Sequence, residues 1–173
     1  DHARLTDLYA SIPGEMKAVA ASLGVPVLRQ TNMETLLAHI AALRKEHGDR
    51  AVLRAIHFLQ ENDRVVEQVA AVREGNLDKF FADVTASGDS SWKLLQNVYA
   101  RPNQEQMAMG IELSRRFLAG DGAQRVHGGG FAGTIQAFVP FDILDEFVAG
   151  MDAALGQGAC HVLSIRPQGG VEM

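Results

Sequence analysis

The feature that most constrains this chain is a change of hydrophobic period near Gly120. Before it, apolar residues recur at helical spacing. After it come two short alternating stretches joined by a run that holds four glycines in six residues, Gly128-Gly129-Gly130-Phe131-Ala132-Gly133. A segment with period 2 lays its side chains on opposite faces of a strand, whereas a 3.6 period lays them on one stripe of a helix. Helices followed by a small hairpin, one more helix and a last strand predict an α+β domain with a small, mostly antiparallel sheet. The 173 residues suit a single domain over 1–173 that buries roughly 70% of its unfolded surface.

The helical part carries its own punctuation. Leu5, Leu8, Tyr9, Ile12, Met16, Val19, Ala20 and Leu23 share a face, with Pro13 expected to bend or break that run. Thr31 with Glu34 reads as a capping box for a helix that ends before Gly48. Asp49 is expected to cap a second long helix that stops at Gly75, and Asn76 the next one. Residues 87–91, Ser-Gly-Asp-Ser-Ser, read as a turn-rich break. Residues 92–99 are expected to add a short helix, and Asn103 to open another that runs to about Ala119. The strands are expected over 124–127, 134–139 and 160–166, with a helix over 142–155 between the last two. In the second strand Ile135, Ala137 and Val139 share one face and Thr134, Gln136 and Phe138 the other.

Charge and cysteine usage exclude some roles. A net charge of −5 and a pI near 5.6 argue against a general nucleic-acid or anionic-membrane binder. The most apolar run, 18–28, falls short of the about 20 residues of a membrane helix. Cys160 is the only cysteine and cannot form an internal disulfide, so the chain reads as cytosolic. No two of the six histidines stand at i, i+4, and no metal site is expected. The chain starts at Asp1 rather than Met and is expected to be a piece of something longer.

Two features could carry chemistry. Glycines lack the Cβ that keeps backbone from a ligand and adopt positive φ, which lets successive N–H groups converge on an anion. On residues alone, however, a tight hairpin that needs glycine only for its turn is the weightier reading. The second feature is Arg54, His57, Glu61 and Arg64, which stand at i, i+3, i+7 and i+10 on the long helix. They read as a solvated stripe with a His57–Glu61 pair, each such pair worth about 0.3–0.5 kcal/mol. Trp92 and the phenylalanines read as core.

The segment Arg125-Val126-His127-Gly128-Gly129-Gly130-Phe131-Ala132-Gly133-Thr134 resembles the third signature motif of the GHMP sugar-kinase superfamily in its galactokinase form. There an Arg-Met-Thr-like strand runs into Gly-Gly-Gly-Phe-Gly-Gly. Ala132 replaces one family glycine, and Val126-His127 replaces Met-Thr. Arg54, His57, Glu61 and Arg64 match a galactokinase helix pattern, and Leu28-Arg29 a Leu-Arg pair. His2 and Tyr9 match a His and a Tyr seven residues apart. Ser87 and Ser90 match a Ser-His-x-Ser segment in which Gly88 stands for the His.

The resemblance implies a C-terminal-type GHMP domain, with helices packed on a ferredoxin-like sheet, cut from a two-domain enzyme. That enzyme would transfer the γ-phosphate of ATP, with magnesium, to galactose in a cleft between this domain and an N-terminal one. The sugar-binding Arg, Glu and Asp, the catalytic Asp and the main phosphate loop of the family are not found here. The resemblance therefore implies no catalytic residue in this chain and no tightly bound cofactor. Tyr9 matches a tyrosine that contacts the sugar. Gly128, Gly129, Gly130 and Gly133 match a loop that supports the phosphate side. The alternatives are a non-catalytic galactose and ATP sensor, another small-molecule kinase of the superfamily, and a free-standing ferredoxin-like interaction domain.

Overall fold

The structure is a computed structural model that describes residues 5–131 and 133–169. In chain order it comprises α1 (Thr6–Ser22), a 3-10 turn (Leu28–Gln30), α2 (Met33–Ala38), α3 (Ile40–Glu74), α4 (Leu77–Ser90), a π turn (Ser91–Leu95), α5 (Gln106–Leu118), β1 (Ala123–His127), β2 (Thr134–Phe138) and α6 (Leu144–Leu155). It is the α+β domain that the change of period predicts.

The helical half closes around its own core. Val19 and Ala20 of α1, Leu36 of α2, and Leu43, Ala51, Val52, Ala55 and Leu59 of α3 pack together with Leu28. Asn32, rather than Thr31, caps α2, its side chain accepting from the Thr35 N–H at 2.8 Å. Gly48 interrupts α3 with φ 81° and ψ 165°, so the expected boundary is real although the helix resumes at once. Asp49 spends its carboxylate on Arg44. Gly75 ends α3 in the left-handed region, and Asn76 caps α4 by accepting from the Lys79 N–H.

The hairpin lies between helices on both faces. β1 and β2 pair antiparallel, Ala123 opposite Phe138 and Val126 opposite Ile135. Val126 and Ile135 pack with Ala108 and Ile111 of α5. Ile135, Ala137 and Val139 also meet Leu118 of α5 and Phe147 and Met151 of α6. On the opposite face Phe138 stands 5.6 Å from the rings of both Phe80 and Phe81 of α4. The alternation predicted for this strand thus serves two different cores.

Three sequence expectations fail for identifiable reasons. Pro13 does not break α1, which runs on from Thr6 to Ser22; Val19 and Ala20 beyond it pack into the core with α3 and help offset the backbone bond that proline forfeits. Residues 87–90 are helix, not a break. A Cβ at Gly88 would stand 2.9 Å from the Arg125 Cβ and 3.0 Å from the Gln124 carbonyl oxygen. Ser87, Ser90 and Ser91 are buried there. The small polar residues allow α4 to lie directly on β1. Residues 160–166 form no strand. Val162, Leu163 and Ile165 are exposed, and the described sheet has only β1 and β2. A strand needs a neighbour to satisfy its backbone, and alternation alone supplies none. The α5 helix opens at Gln106, three residues beyond Asn103.

Among the described residues no helix is long and apolar enough to cross a membrane.

Candidate functional site

The loop between β1 and β2 is gripped from two sides. Gly128 and Gly130 have φ of 67° and 81°, and Phe131, which carries a side chain, has φ of 59°. A bulky residue in that region costs about 1–3 kcal/mol and persists where its surroundings over-determine it. From α1, the Tyr9 hydroxyl donates to the Gly130 carbonyl at 2.8 Å. Its ring meets Phe131 edge-on at 5.2 Å and 86°, a favoured aromatic geometry. From the segment after the π turn, the Asn97 carbonyl accepts from the Phe131 N–H at 2.6 Å. The Asn97 carboxamide donates to the Gly129 carbonyl at 3.3 Å. Within the loop the Gly133 N–H donates to the Gly130 carbonyl at 3.1 Å.

These contacts explain each glycine differently. A Cβ at Gly129 would lie 2.7 Å from the Tyr9 ring, and one at Gly130 would lie 2.2 Å from the Asn97 carbonyl oxygen. Gly128 meets nothing within 4 Å and needs glycine only for its φ. Gly133 has ordinary contacts. Gly129 itself is not among the positive-φ residues. The room that Gly129 and Gly130 leave is therefore filled by this chain's own Tyr9 and Asn97. That suits a loop held in shape from behind better than one that closes around an anion.

Tyr9, assigned from the sequence separately from the four glycines, meets two of them in space, Gly129 and Gly130, while Gly128 and Gly133 flank them in the same loop. His2 and Ala132 lie outside the described residues. Asn97 was missed, because residues 95–98, Leu-Gln-Asn-Val, carry no motif and fell inside an expected helix. That helix survives only as the π turn, which closes with the Gln96 N–H on the Ser91 carbonyl at 2.8 Å. Gln96 follows in the left-handed region at φ 59°. Single π turns inside helices recur at functional sites.

Beside the loop lies an open cleft of about 190 Å³, lined among others by Leu8, Arg50, Arg54, Trp92, Gln96 and Phe131. Trp92 is shared between this cleft and the core around Val126.

The stripe on α3 is not a solvated face. Arg54 is 2% exposed and His57 8%, because α1, the π turn and α4 cover that side. Arg54 donates to the Leu95 carbonyl at 3.1 Å, to Ser11 at 3.0 Å and to Glu15 at 2.8 Å. Burial pulls its pKa below the usual guanidinium value, and Glu15 opposes that. His57 Nδ1 pairs with Ser90 at 2.8 Å, not with Glu61. Burial, then the charges of Arg64 and Arg125, pushes His57 down to about 4, so the ring is neutral at pH 7. Ser87 links the remaining members. It donates to Glu61 at 2.5 Å and accepts from Arg125 at 2.6 Å, while Arg64 pairs with Glu61. Buried polar groups must find partners or cost several kcal/mol, and these find one another. The network joins α1, α3, α4 and β1, the elements that aim the loop.

Among the described residues no group of three or more His, Cys, Asp or Glu side chains gathers as a metal site would need.

The chain is similar to the galactokinases. It is 28% identical to the galactokinase of Mannheimia succiniciproducens over 145 residues, covering 84% of this chain and 36% of that protein. It is 30% identical to the galactokinase of Actinobacillus pleuropneumoniae serotype 5b over 139 residues, covering 80% and 35%. It is 28% identical to that of Haemophilus influenzae over 145 residues, covering 84% and 36%. The chain thus spans about a third of the length of the curated relatives it matches. No protein-family model matches it.

Proposed function

From the premise that this chain is a relative of the galactokinases, we propose that it is the C-terminal domain of such an enzyme, whose N-terminal domain supplies the other wall of the active site. The whole protein transfers the γ-phosphate of ATP, with magnesium, to galactose and yields galactose 1-phosphate. The observation that carries this reading is the 30% identity over 80% of the chain. It is supported by the meeting of Tyr9 with the glycine loop, since the first matches a sugar-contacting tyrosine and the second a phosphate-side loop.

Phosphoryl transfer is mostly positioning and electrostatic stabilisation. In this reading the chain contributes a rigid, pre-shaped wall. Gly128, Gly129, Gly130 and Gly133 present backbone to the phosphate side, and Tyr9 stands between loop and sugar. ATP and magnesium bind where the two domains meet, with the charged and basic groups supplied by the other domain. The 173-residue chain alone is then inactive, because two substrates cannot be aligned by one wall of a cleft.

The experiment is a galactose 1-phosphate assay with ATP and magnesium on the whole protein and, separately, on the 173-residue chain. The proposal expects product from the first and none from the second above a contaminant control. Product from the isolated chain overturns the assignment of the catalytic groups to the other domain. A whole protein that binds galactose and ATP without turnover is a sensor, and the enzymatic reading fails.

A further inference from the structure

We propose that Asn97 is a positioning residue for the glycine loop, fixing the direction in which the Gly130 N–H points. Its bearing on phosphoryl transfer rests on the function proposed above. The observations lie on both sides of one contact. On one side Gln96 sits at φ 59°, and on the other Gly130 and Phe131 sit at 81° and 59°. Two strained turns face each other, and Asn97 joins them twice, through its backbone carbonyl to the Phe131 N–H at 2.6 Å and through its carboxamide to the Gly129 carbonyl at 3.3 Å. Asn97 is 2% exposed.

Peptide planarity turns this grip into a direction. The Gly129–Gly130 peptide is trans, as are all the described peptides, so its carbonyl and N–H point to opposite sides. While the carboxamide holds the Gly129 carbonyl, the Gly130 N–H faces away from Asn97. The next peptide is held the other way round, with the Phe131 N–H on Asn97 and the Gly130 carbonyl on Tyr9. Two glycines in succession would otherwise let both peptides flip at little cost. The clamp requires the carboxamide, because a leucine or a carboxylate of similar size offers the Gly129 carbonyl no donor. Among the described residues the buried Asn97 Oδ1 meets no hydrogen-bond partner. That cost is tolerated when the other end of the amide is needed.

The test uses Asn97→Asp, which keeps the shape but removes the donor, and Asn97→Ala in case the aspartate misfolds. Amide hydrogen exchange over residues 128–133 of the 173-residue chain reports the clamp without any activity. Loop exchange is expected to rise about 10-fold or more in either variant, with the α3 amides unchanged. Unchanged loop exchange in a folded variant overturns the proposal. In the whole protein, kcat/KM for ATP is expected to fall about 10- to 100-fold, while KM for galactose stays within about 2-fold. With rates expressed per folded molecule, a residue that only stabilises the fold leaves kcat/KM for ATP at the wild-type value, and that result overturns the positioning role. If the wild-type whole protein does not phosphorylate galactose, the proposed function fails. The exchange experiment still decides whether Asn97 holds the loop.

Discussion

A single methyl group at Gly130 tests the loop geometry most severely. In Gly130→Ala the new Cβ would stand 2.2 Å from the Asn97 carbonyl oxygen and 2.7 Å from its Nδ2, where real Cβ contacts essentially never fall below 3.0 Å. The obstacle is backbone, so no rotamer change relieves it. Asn97 must retreat, which breaks the 2.6 Å bond to the Phe131 N–H and loosens the one to Gly129. Two hydrogen bonds lost at about 0.5–1.5 kcal/mol each join a penalty of about 1–2 kcal/mol for alanine at φ 81°. The expected destabilisation is about 2–5 kcal/mol. The control is Gly128→Ala, which has a similar φ of 67° but open space around the added carbon. Only the conformational penalty applies there, about 1–2 kcal/mol. Urea denaturation of both variants, read as midpoint shifts at constant m, gives the difference directly. If the two alanines cost the same, the clash with Asn97 is illusory and the clamp described above does not exist.

Other outcomes follow from the buried network and the packing. Arg54→Met strips partners from Glu15, Ser11 and the Leu95 carbonyl inside the protein and should cost about 3 kcal/mol or more. Arg50→Met, whose half-exposed side chain shares Glu15, should cost about 1 kcal/mol or less; equal effects in thermal melts would refute the distinction. His57 is held to about 4 in the folded state against about 6.5 unfolded. The unfolded chain therefore takes up the proton first, and stability should fall as pH drops from about 6.5 towards 4. His57→Gln should flatten that part of the Tm–pH curve, and an unaltered curve would show that the ring is not buried neutral. Gly88→Ala should push α4 off β1 and cost about 1–3 kcal/mol, measurable by the same melts.

What was legible in the sequence was whatever depends on local chemistry. Gly75 and Asn76 punctuate α3 and α4 as read, because a left-handed stop and an amide cap act on their own neighbours. The two faces of β2 could be assigned because alternation is a property of the strand itself. The larger failures needed knowledge of a neighbour. Ser87-Gly88-Asp89-Ser90 has the composition of a turn, and only β1 lying against it makes the same residues a helix contact. Residues 160–166 alternate like a strand, yet they have no described strand to pair with. The Arg54-to-Arg64 stripe has the spacing of a solvated face. It is buried because Ser11, Glu15, Ser87, Ser90 and the Leu95 carbonyl arrive from three other elements with matching donors and acceptors. For the loop, glycine content marked the place but not the cause. The glycines read as room for a ligand or as positive φ, whereas the neighbour of Gly129 is the ring of Tyr9 and its own φ is not positive. Asn97 carried no signal, since its importance lies in a contact with a segment more than thirty residues away.

The central claim is that this chain is one wall of a galactose-phosphorylating enzyme. The most direct test is to incubate the purified whole protein with galactose, ATP and magnesium and to follow galactose 1-phosphate. Wild-type protein should form it in an ATP-dependent manner, and Gly129→Val, which drives a branched side chain into Tyr9, should lose most of that turnover while keeping a folded chain. No galactose 1-phosphate from folded wild-type protein, or full turnover in folded Gly129→Val, would contradict the account.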